Sequence, residues 1–432
     1  MALASPPSPD FRSQTTCAAP SPAPSSFSLL QVEGRHAVNL LKITVADFIV
    51  RTGYQMGKTP LLPLFAASLG AGDALLGVIV SVSTLTGMLL KPLVGVLSDR
   101  WGRRVWLLGG AGLFAGIPFL YQFIQSPESL LALRLVHGLA TAIFGPVTLA
   151  LVAEQATQGS AEKLGWFGMA RIGGYLLGPL LAAGLLTLMP PVEVFTLIGA
   201  LSCLAFAPLL LLNFQKTQPS KRPPIHTQIV QALQAGMRCP ELWVAGGLET
   251  VVYLALYALK AFLPLYALAK GVDIVTVGAF FSLQELTHLL CRPLGGRLGD
   301  RWGYLPVIAC GMLLGALALA LLPGSEGAVG LLALAVLIGL AQALIFPTTL
   351  ALFGSRIPPQ HLGAGMGLIG TMKNTGKVIG PVLGGLLVHW QDFSWMLWTM
   401  AGLLVLGAVG IWQFVPRHAL LSQDLFPEGS GD

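Results

Sequence analysis

Apolar residues run along this chain in long blocks separated by Gly, Pro and clusters of charge. A bilayer core of about 30 Å takes about 20 apolar residues per helix. Twelve such runs can be read, at 38–69, 74–97, 104–124, 129–153, 163–188, 193–214, 241–269, 274–297, 304–322, 328–353, 362–388 and 393–415. They predict an all-α membrane protein with twelve transmembrane helices. One connection, 215–240, is long and polar, with Lys216, Lys221, Arg222 and Arg238, and it divides the spans into two sets of six. The expected organisation is a flexible cytoplasmic tail at 1–36, an N-terminal six-helix bundle at 37–214, a cytoplasmic linker at 215–240, a C-terminal six-helix bundle at 241–415 and a cytoplasmic tail at 416–432.

Composition agrees. About 54% of the 432 residues are hydrophobic and only 10% are charged, against about 25% charged in soluble domains. So few charges cannot coat soluble domains of this size, which excludes a soluble enzyme, a nucleic-acid-binding protein and a disordered scaffold. The net charge of +6 acquires meaning from its placement. Arg12, Arg35, Arg100, Arg103, Arg104, Lys163, the linker, Arg297, Arg301, Arg356 and Arg417 fall on one side of the spans; Asp73, Glu128, Glu193, Asp273, Glu326 and Asp392 fall on the other, where Lys270 is the only cation. Basic residues in short loops mark the cytoplasmic side, so both termini and the linker are expected there, in a cell (inner) membrane. The five cysteines form no C-x-x-C pair, which predicts neither a disulfide framework nor a metal site. Residues 1–28, rich in Pro, Ser and Ala, lack the basic start and apolar stretch of a signal peptide, although an organelle transit peptide has a similar composition.

The chain repeats itself. Lys91-Pro-Leu-Val-Gly-Val-Leu-Ser-Asp-Arg-Trp-Gly102 returns as Arg292-Pro-Leu-Gly-Gly-Arg-Leu-Gly-Asp-Arg-Trp-Gly303, an offset of 201 residues. The same offset relates Leu62-Pro63-Leu64 to Leu263-Pro264-Leu265, and Pro146 to Pro347; Gly178-Pro179 pairs with Gly380-Pro381 at 202. One offset held across most spans predicts two pseudo-symmetric six-helix bundles, with a binding site between them near the membrane midplane.

Gly95-Val-Leu-Ser-Asp99-Arg100-Trp-Gly102-Arg103-Arg104 matches the G-x-x-x-D-R-x-G-R-R signature of the major facilitator superfamily at every defined position, and the resemblance covers nearly the whole chain. The second copy keeps Gly296, Asp300, Arg301 and Gly303 and has Tyr304-Leu305 in place of the arginine pair. The resemblance implies the major facilitator fold and makes these residues a cytoplasmic gate, with Asp99 set against the start of a helix of the opposite half. Arg134-Leu-Val-His-Gly138 in span 4 is similar to a second family signature, which implies a part for Arg134 in proton transfer. Span 5 has Gly165, Gly174, Gly178-Pro179 and Ala182-Ala183, and span 11 has Gly367, Gly376, Gly380-Pro381 and Gly384-Gly385. This spacing resembles the family's antiporter signature and makes Gly174, Gly178, Pro179, Gly376, Gly380 and Pro381 a helix-packing hinge. Gly53-Tyr54 and Pro60-Leu-Leu-Pro63 look like the span-1 pattern of the twelve-span drug:proton antiporters, with Gly53 one residue farther from the first proline than usual.

Charges inside the membrane are costly and mark function by default. They occupy spans 1, 2, 4, 5, 7, 8 and 11 and leave spans 3, 6, 9 and 12 essentially uncharged, fit to face lipid. Nine cations face three carboxylates, Asp47, Glu249 and Glu285. The imbalance predicts a cationic central cavity in which Lys58, Arg171, Lys260, Lys373 and Lys377 bind an anionic or carboxylate-bearing solute. Asp47, Glu249 and Glu285 are the candidates for proton coupling, with Asp47 and Glu285 favoured. Each has a structural alternative: Asp47 stands one helical turn from Arg51, and Glu285 stands near His288 and Arg292.

No nucleotide-binding loop appears, and neither a cofactor nor an enzymatic activity is expected. The reading is a secondary transporter, monomeric, moving a small organic solute by alternating access, with proton-coupled efflux first. Import or facilitated passage of a metabolite such as an organic acid or sugar is the alternative, and a non-transporting membrane sensor or scaffold is a third.

Overall fold

The computed structural model describes residues 26–155, 160–212, 240–356 and 362–414. The expected linker and C-terminal tail lie almost wholly outside the described residues. Among the described residues the chain is helical, with no strand. Span 1 comprises Ser26–Met56 and Leu62–Ser68, so the helix begins within the tail expected at 1–36. Spans 2 to 6 are Asp73–Trp101, Arg103–Leu120, Pro127–Gln155, Ser160–Leu186 and Pro191–Cys203, the last continued by Phe206–Leu210. Spans 7 to 12 are Pro240–Ala269, Ile274–Trp302, Tyr304–Leu321, Gly327–Arg356, Leu362–Trp390 and Phe393–Phe414.

Ten of these helices are long and apolar enough to cross a bilayer on composition alone. Spans 1 and 11 fall short because they carry the charges: Asp47, Arg51 and Lys58 in one, Lys373 and Lys377 in the other. Both pack along their neighbours through small residues. A Cβ at Gly178 would meet Gln55 Cβ of span 1 at 2.6 Å, and one at Gly376 would strike the Thr250 carbonyl of span 7. The expected hinge glycines therefore lock span 5 to span 1 and span 11 to span 7, inside each half.

The sequence signals for helix ends are visible as geometry. Asp273 accepts from the Thr276 amide at 2.8 Å and the Thr276 hydroxyl at 2.6 Å, capping span 8. These bonds hold its carboxyl below the usual carboxylate range. Asp392 caps span 12 through the Trp395 amide at 2.8 Å. In both copies of the repeated loop the last glycine turns the chain between two helices at positive φ, +86° at Gly102 and +89° at Gly303. A side chain there is strained, which explains why the signature keeps glycine twice.

The halves meet at one end and part at the other. A Cβ at Gly77 would strike the Pro381 carbonyl, and one at Gly278 would meet the Pro179 carbonyl at 2.7 Å. Ser282 donates to the Leu176 carbonyl at 2.6 Å. These contacts join the first part of spans 2 and 8 to the last part of spans 11 and 5, the ends remote from the linker. At the linker ends, among the described residues, a Cβ at Gly95, Gly165, Gly296 or Gly367 would meet nothing within 4 Å. The molecule is thus sealed on the side of Asp73 and Asp273 and open on the side of the repeated loops. Large apolar side chains such as Leu313, Leu317, Leu406 and Val409 cover the outside of spans 9 and 12, where lipid contact was expected.

Candidate substrate and coupling site

The cleft narrows to a cavity of about 300 Å³. Its lining brings together Glu249, Tyr253, Tyr257 and Lys260 of span 7, Glu285, His288 and Arg292 of span 8, Gln342, Phe346 and Thr349 of span 10, and Lys373 and Lys377 of span 11. Span 5 of the opposite half contributes Ile172 and Tyr175. The C-terminal half therefore supplies nearly all of the polar wall.

Two buried ion pairs stand at repeat-related positions. In the N-terminal half, Asp47 lies 3.1 Å from Arg171 and 3.6 Å from Arg51, and accepts from the Thr148 hydroxyl at 3.3 Å. In the C-terminal half, Glu249 lies 3.5 Å from Lys373 and accepts from the Thr349 hydroxyl at 2.9 Å. The carboxylates are 202 residues apart, as are the cations, and the threonines are 201 apart. The same device (an acid on the first span of a half, a cation on the fifth, a threonine on the fourth) was thus built twice. The copies differ in firmness. Asp47 is 1% exposed and holds two guanidinium groups, while Glu249 holds one ammonium, itself 32% exposed to the cavity. Asp47 is not among the residues that line the cavity, whereas Glu249 is.

Glu285 lies 3.1 Å from Lys260 and 3.6 Å from His288. His288, not Arg292, is therefore its second partner. Lys377 and Lys58 have no carboxylate within 4 Å among the described residues. Their ammonium groups rest on ring faces instead, Lys377 at 4.7 Å from the centre of Tyr253 and 5.4 Å from Tyr257, Lys58 at 4.9 Å from Tyr257. Lys58 belongs to span 1, so its contact with Tyr257 bridges the halves. It reaches inward because the helix breaks there: Thr59 is extended, and Pro60 lacks an amide to continue the ladder. Lys260 lies 5.7 Å from the same ring. Of the five expected anion ligands, Lys260, Lys373 and Lys377 line the cavity, Lys58 borders it, and Arg171 is engaged by Asp47.

Arg134 lies elsewhere. It is buried in the N-terminal half, where it donates to Ser83 Oγ at 2.5 Å and to the Tyr121 hydroxyl at 3.5 Å, 3.2 Å from His137 Nδ1. It does not meet Asp47, and no carboxylate lies within 4 Å of it among the described residues. The Asp99 side chain, expected at the gate, lies outside the described residues. Its counterpart Asp300 accepts from the Tyr304 hydroxyl of its own half at 3.1 Å. Arg103 reaches Glu154 at 2.5 Å, tying its loop to the end of span 4. Arg100 and Arg301 are exposed at the open end.

Sequence reasoning passed over Thr148, Thr349 and the aromatic wall of Tyr175, Tyr253, Tyr257 and Phe346. The threonines could have been found, because the offset that aligns the two gate loops also aligns them. The tyrosines carry no such signal: an aromatic ring in an apolar run reads as packing until neighbouring cations show what it faces.

Two pseudo-symmetric six-helix bundles, sealed at one end over a charged central cavity, define a multi-pass membrane transporter. The chain belongs to the Major Facilitator Superfamily, whose family model matches residues 45–283 and 246–428. It is 27% identical over 380 residues to the multidrug resistance protein MdtG of Salmonella arizonae, covering 84% of this chain and 92% of that protein. It is 28% identical over 375 residues to MdtG of Citrobacter koseri, covering 83% and 90%. MdtG of Escherichia coli matches at 27% over 398 residues, covering 88% and 95%. The crystal structure of the nucleoside transporter NupG superposes with a TM-score of 0.75 at 14% identity, covering 87% of this chain and 98% of that one, a likeness of fold alone. Membership of this family places the chain among transporters, not enzymes.

Proposed function

We propose that the chain exports a small organic anion by alternating access, in exchange for protons. The observation that carries the reading is the surplus of cations in the cavity. Among the described residues, Lys260, Arg292, Lys373 and Lys377 face it with only Glu249 and Glu285 opposite, and Lys377 has no carboxylate within 4 Å. A buried charge without a partner is costly, and a bound anion supplies that partner. Export is supported by the relatives named multidrug resistance proteins and by the small-residue spacing repeated in spans 5 and 11. The coupling groups are proposed among Asp47, Glu249 and Glu285, of which Glu249 and Glu285 line the cavity. The domain limits and the cytoplasmic placement of the termini are part of the same proposal, supported by the basic loops.

The test uses everted membrane vesicles energised to acidify their interior, with benzenesulfonate as probe because it stays ionised and does not cross lipid as a neutral acid. Uptake of the probe with loss of interior acidity, absent from vesicles carrying the Lys373→Ala, Lys377→Ala double variant, is the expected outcome. Uptake that proceeds equally in the double variant, or a wild-type uptake that leaves the proton gradient untouched, overturns the reading.

A further inference from the structure

We infer that the cargo is an aryl carboxylate: a flat aromatic ring whose carboxylate is taken by Lys377 and Lys373 while the ring lies against Tyr253 and Tyr257. This rests on the organic-anion reading above and adds the shape of the cargo.

Charge and ring surface coincide at one place in the cavity. Lys377 sits over the faces of both tyrosines, and Lys373 lies 5.2 Å from the centre of Tyr253. A cation on a ring face is held less firmly than one on a carboxylate, so an entering anion draws the Lys377 ammonium to itself first, and Lys373, shared with Glu249, completes the clamp. Whatever carries that anion then arrives beside the tyrosine rings. The wall there is flat: Tyr253 and Phe346 are stacked with centres 4.9 Å apart and planes 18° from parallel. Tyr175, from the other half, lines the same cavity. The hydroxyls of Tyr175, Tyr253 and Tyr257 have no hydrogen-bond partner among the described residues, so the rings are not fixed by polar contacts and can meet a ring face or edge.

Size points the same way. A cavity of about 300 Å³ lies at the small end of organic-ligand sites and suits a compact ring better than a long chain. A saturated ring of equal size buries at least as much apolar area but lacks the charged face and edge through which aromatic pairs attract. Preference for the arene over its saturated counterpart therefore reports the rings and not apolar burial.

The experiment measures equilibrium binding of benzoate and of cyclohexanecarboxylate to the full chain in mild detergent at neutral pH, by calorimetry. Benzoate is expected to bind about fivefold more tightly, the size of one favourable aromatic pair. Tyr253→Leu with Tyr257→Leu is expected to abolish that preference, and Tyr253→Phe with Tyr257→Phe is expected to retain it. Equal affinities in the wild-type chain overturn the aryl inference and leave the organic-anion reading standing. Saturable binding of neither acid overturns both. A preference that survives the double leucine variant removes the tyrosines from the site.

Discussion

The two copies of the acid–cation–threonine device differ in firmness, and the difference has a measurable consequence. At an effective dielectric constant of about 20, unit charges 3 to 4 Å apart attract by about 5 kcal/mol. Asp47 has two such neighbours, at 3.1 and 3.6 Å, and Glu249 has one, at 3.5 Å. Desolvation offsets most of this attraction, but removing one partner of a buried pair strands the other and costs about 3–5 kcal/mol. Asp47→Asn strands Arg51 and Arg171, which are mostly buried, so a loss of about 3 kcal/mol is expected. Glu249→Gln keeps the Thr349 contact and frees only Lys373, which can turn into the open cavity. Its cost is expected near that of an exposed pair, about 1 kcal/mol. Reversible unfolding in mixed detergent micelles measures both. A second substitution, Arg171→Gln in the Asp47→Asn background, is expected to recover part of the loss, which a double-mutant cycle isolates. Equal costs for the two acids, or additivity of Asp47→Asn and Arg171→Gln, would refute the distinction between a fixed and a labile copy.

Three further outcomes follow from separate contacts. Gly77→Ala directs a methyl group at the Pro381 carbonyl of the opposite half, which no side-chain rotation relieves. It is expected to loosen the sealed end and to speed labelling of a Thr375→Cys variant from the face remote from the linker; unchanged labelling contradicts the placement of the seal. Gly102→Ala forces a side chain to φ +86°, at a cost of about 1–2 kcal/mol, read as a lower unfolding midpoint in the same micelles. Asp273→Ala removes the cap of span 8 and is expected to cost about 1 kcal/mol. Because the folded state depresses this carboxyl, the cap stabilises above the unfolded pKa of about 4 and loses its effect as pH falls through the folded value. The wild-type and Asp273→Asn unfolding curves should therefore converge in acid, and a constant difference at all pH values would contradict the cap.

Much of the fold was legible because the bilayer imposes a strong rule: about 20 apolar residues per span, with charge relegated to loops. Among the described residues the expected spans are helical, and the offset of 201 to 202 residues that relates the gate loops also relates the contacts of Gly77 with Pro381 and of Gly278 with Pro179. What sequence could not give was partnership. Asp47 stands one helical turn from Arg51, which made a local pair visible, but its nearer cation, Arg171, lies four spans away. Lys373 and Lys377 share one helix and differ in what faces them, a carboxylate and the Tyr253 ring for the first and two tyrosine rings for the second. Arg134 was read through its resemblance to a signature, and nothing in its neighbours along the chain announced Ser83 or Tyr121. Charge balance could be counted along the chain, and it pointed to Lys260, Lys373 and Lys377, which line the cavity; which cations remain unpaired depends on packing between helices.

The central claim is that the surplus of cations over carboxylates in the cavity holds an anionic cargo. Its most direct test is the shift in unfolding temperature of the full chain in mild detergent across a panel of small organic anions, cations and neutral solutes. One or more anions are expected to stabilise the wild-type chain, and none the Lys373→Ala, Lys377→Ala double variant. Equal stabilisation of both proteins by anions, or stabilisation of the wild-type chain by cations or neutral solutes alone, would contradict the account.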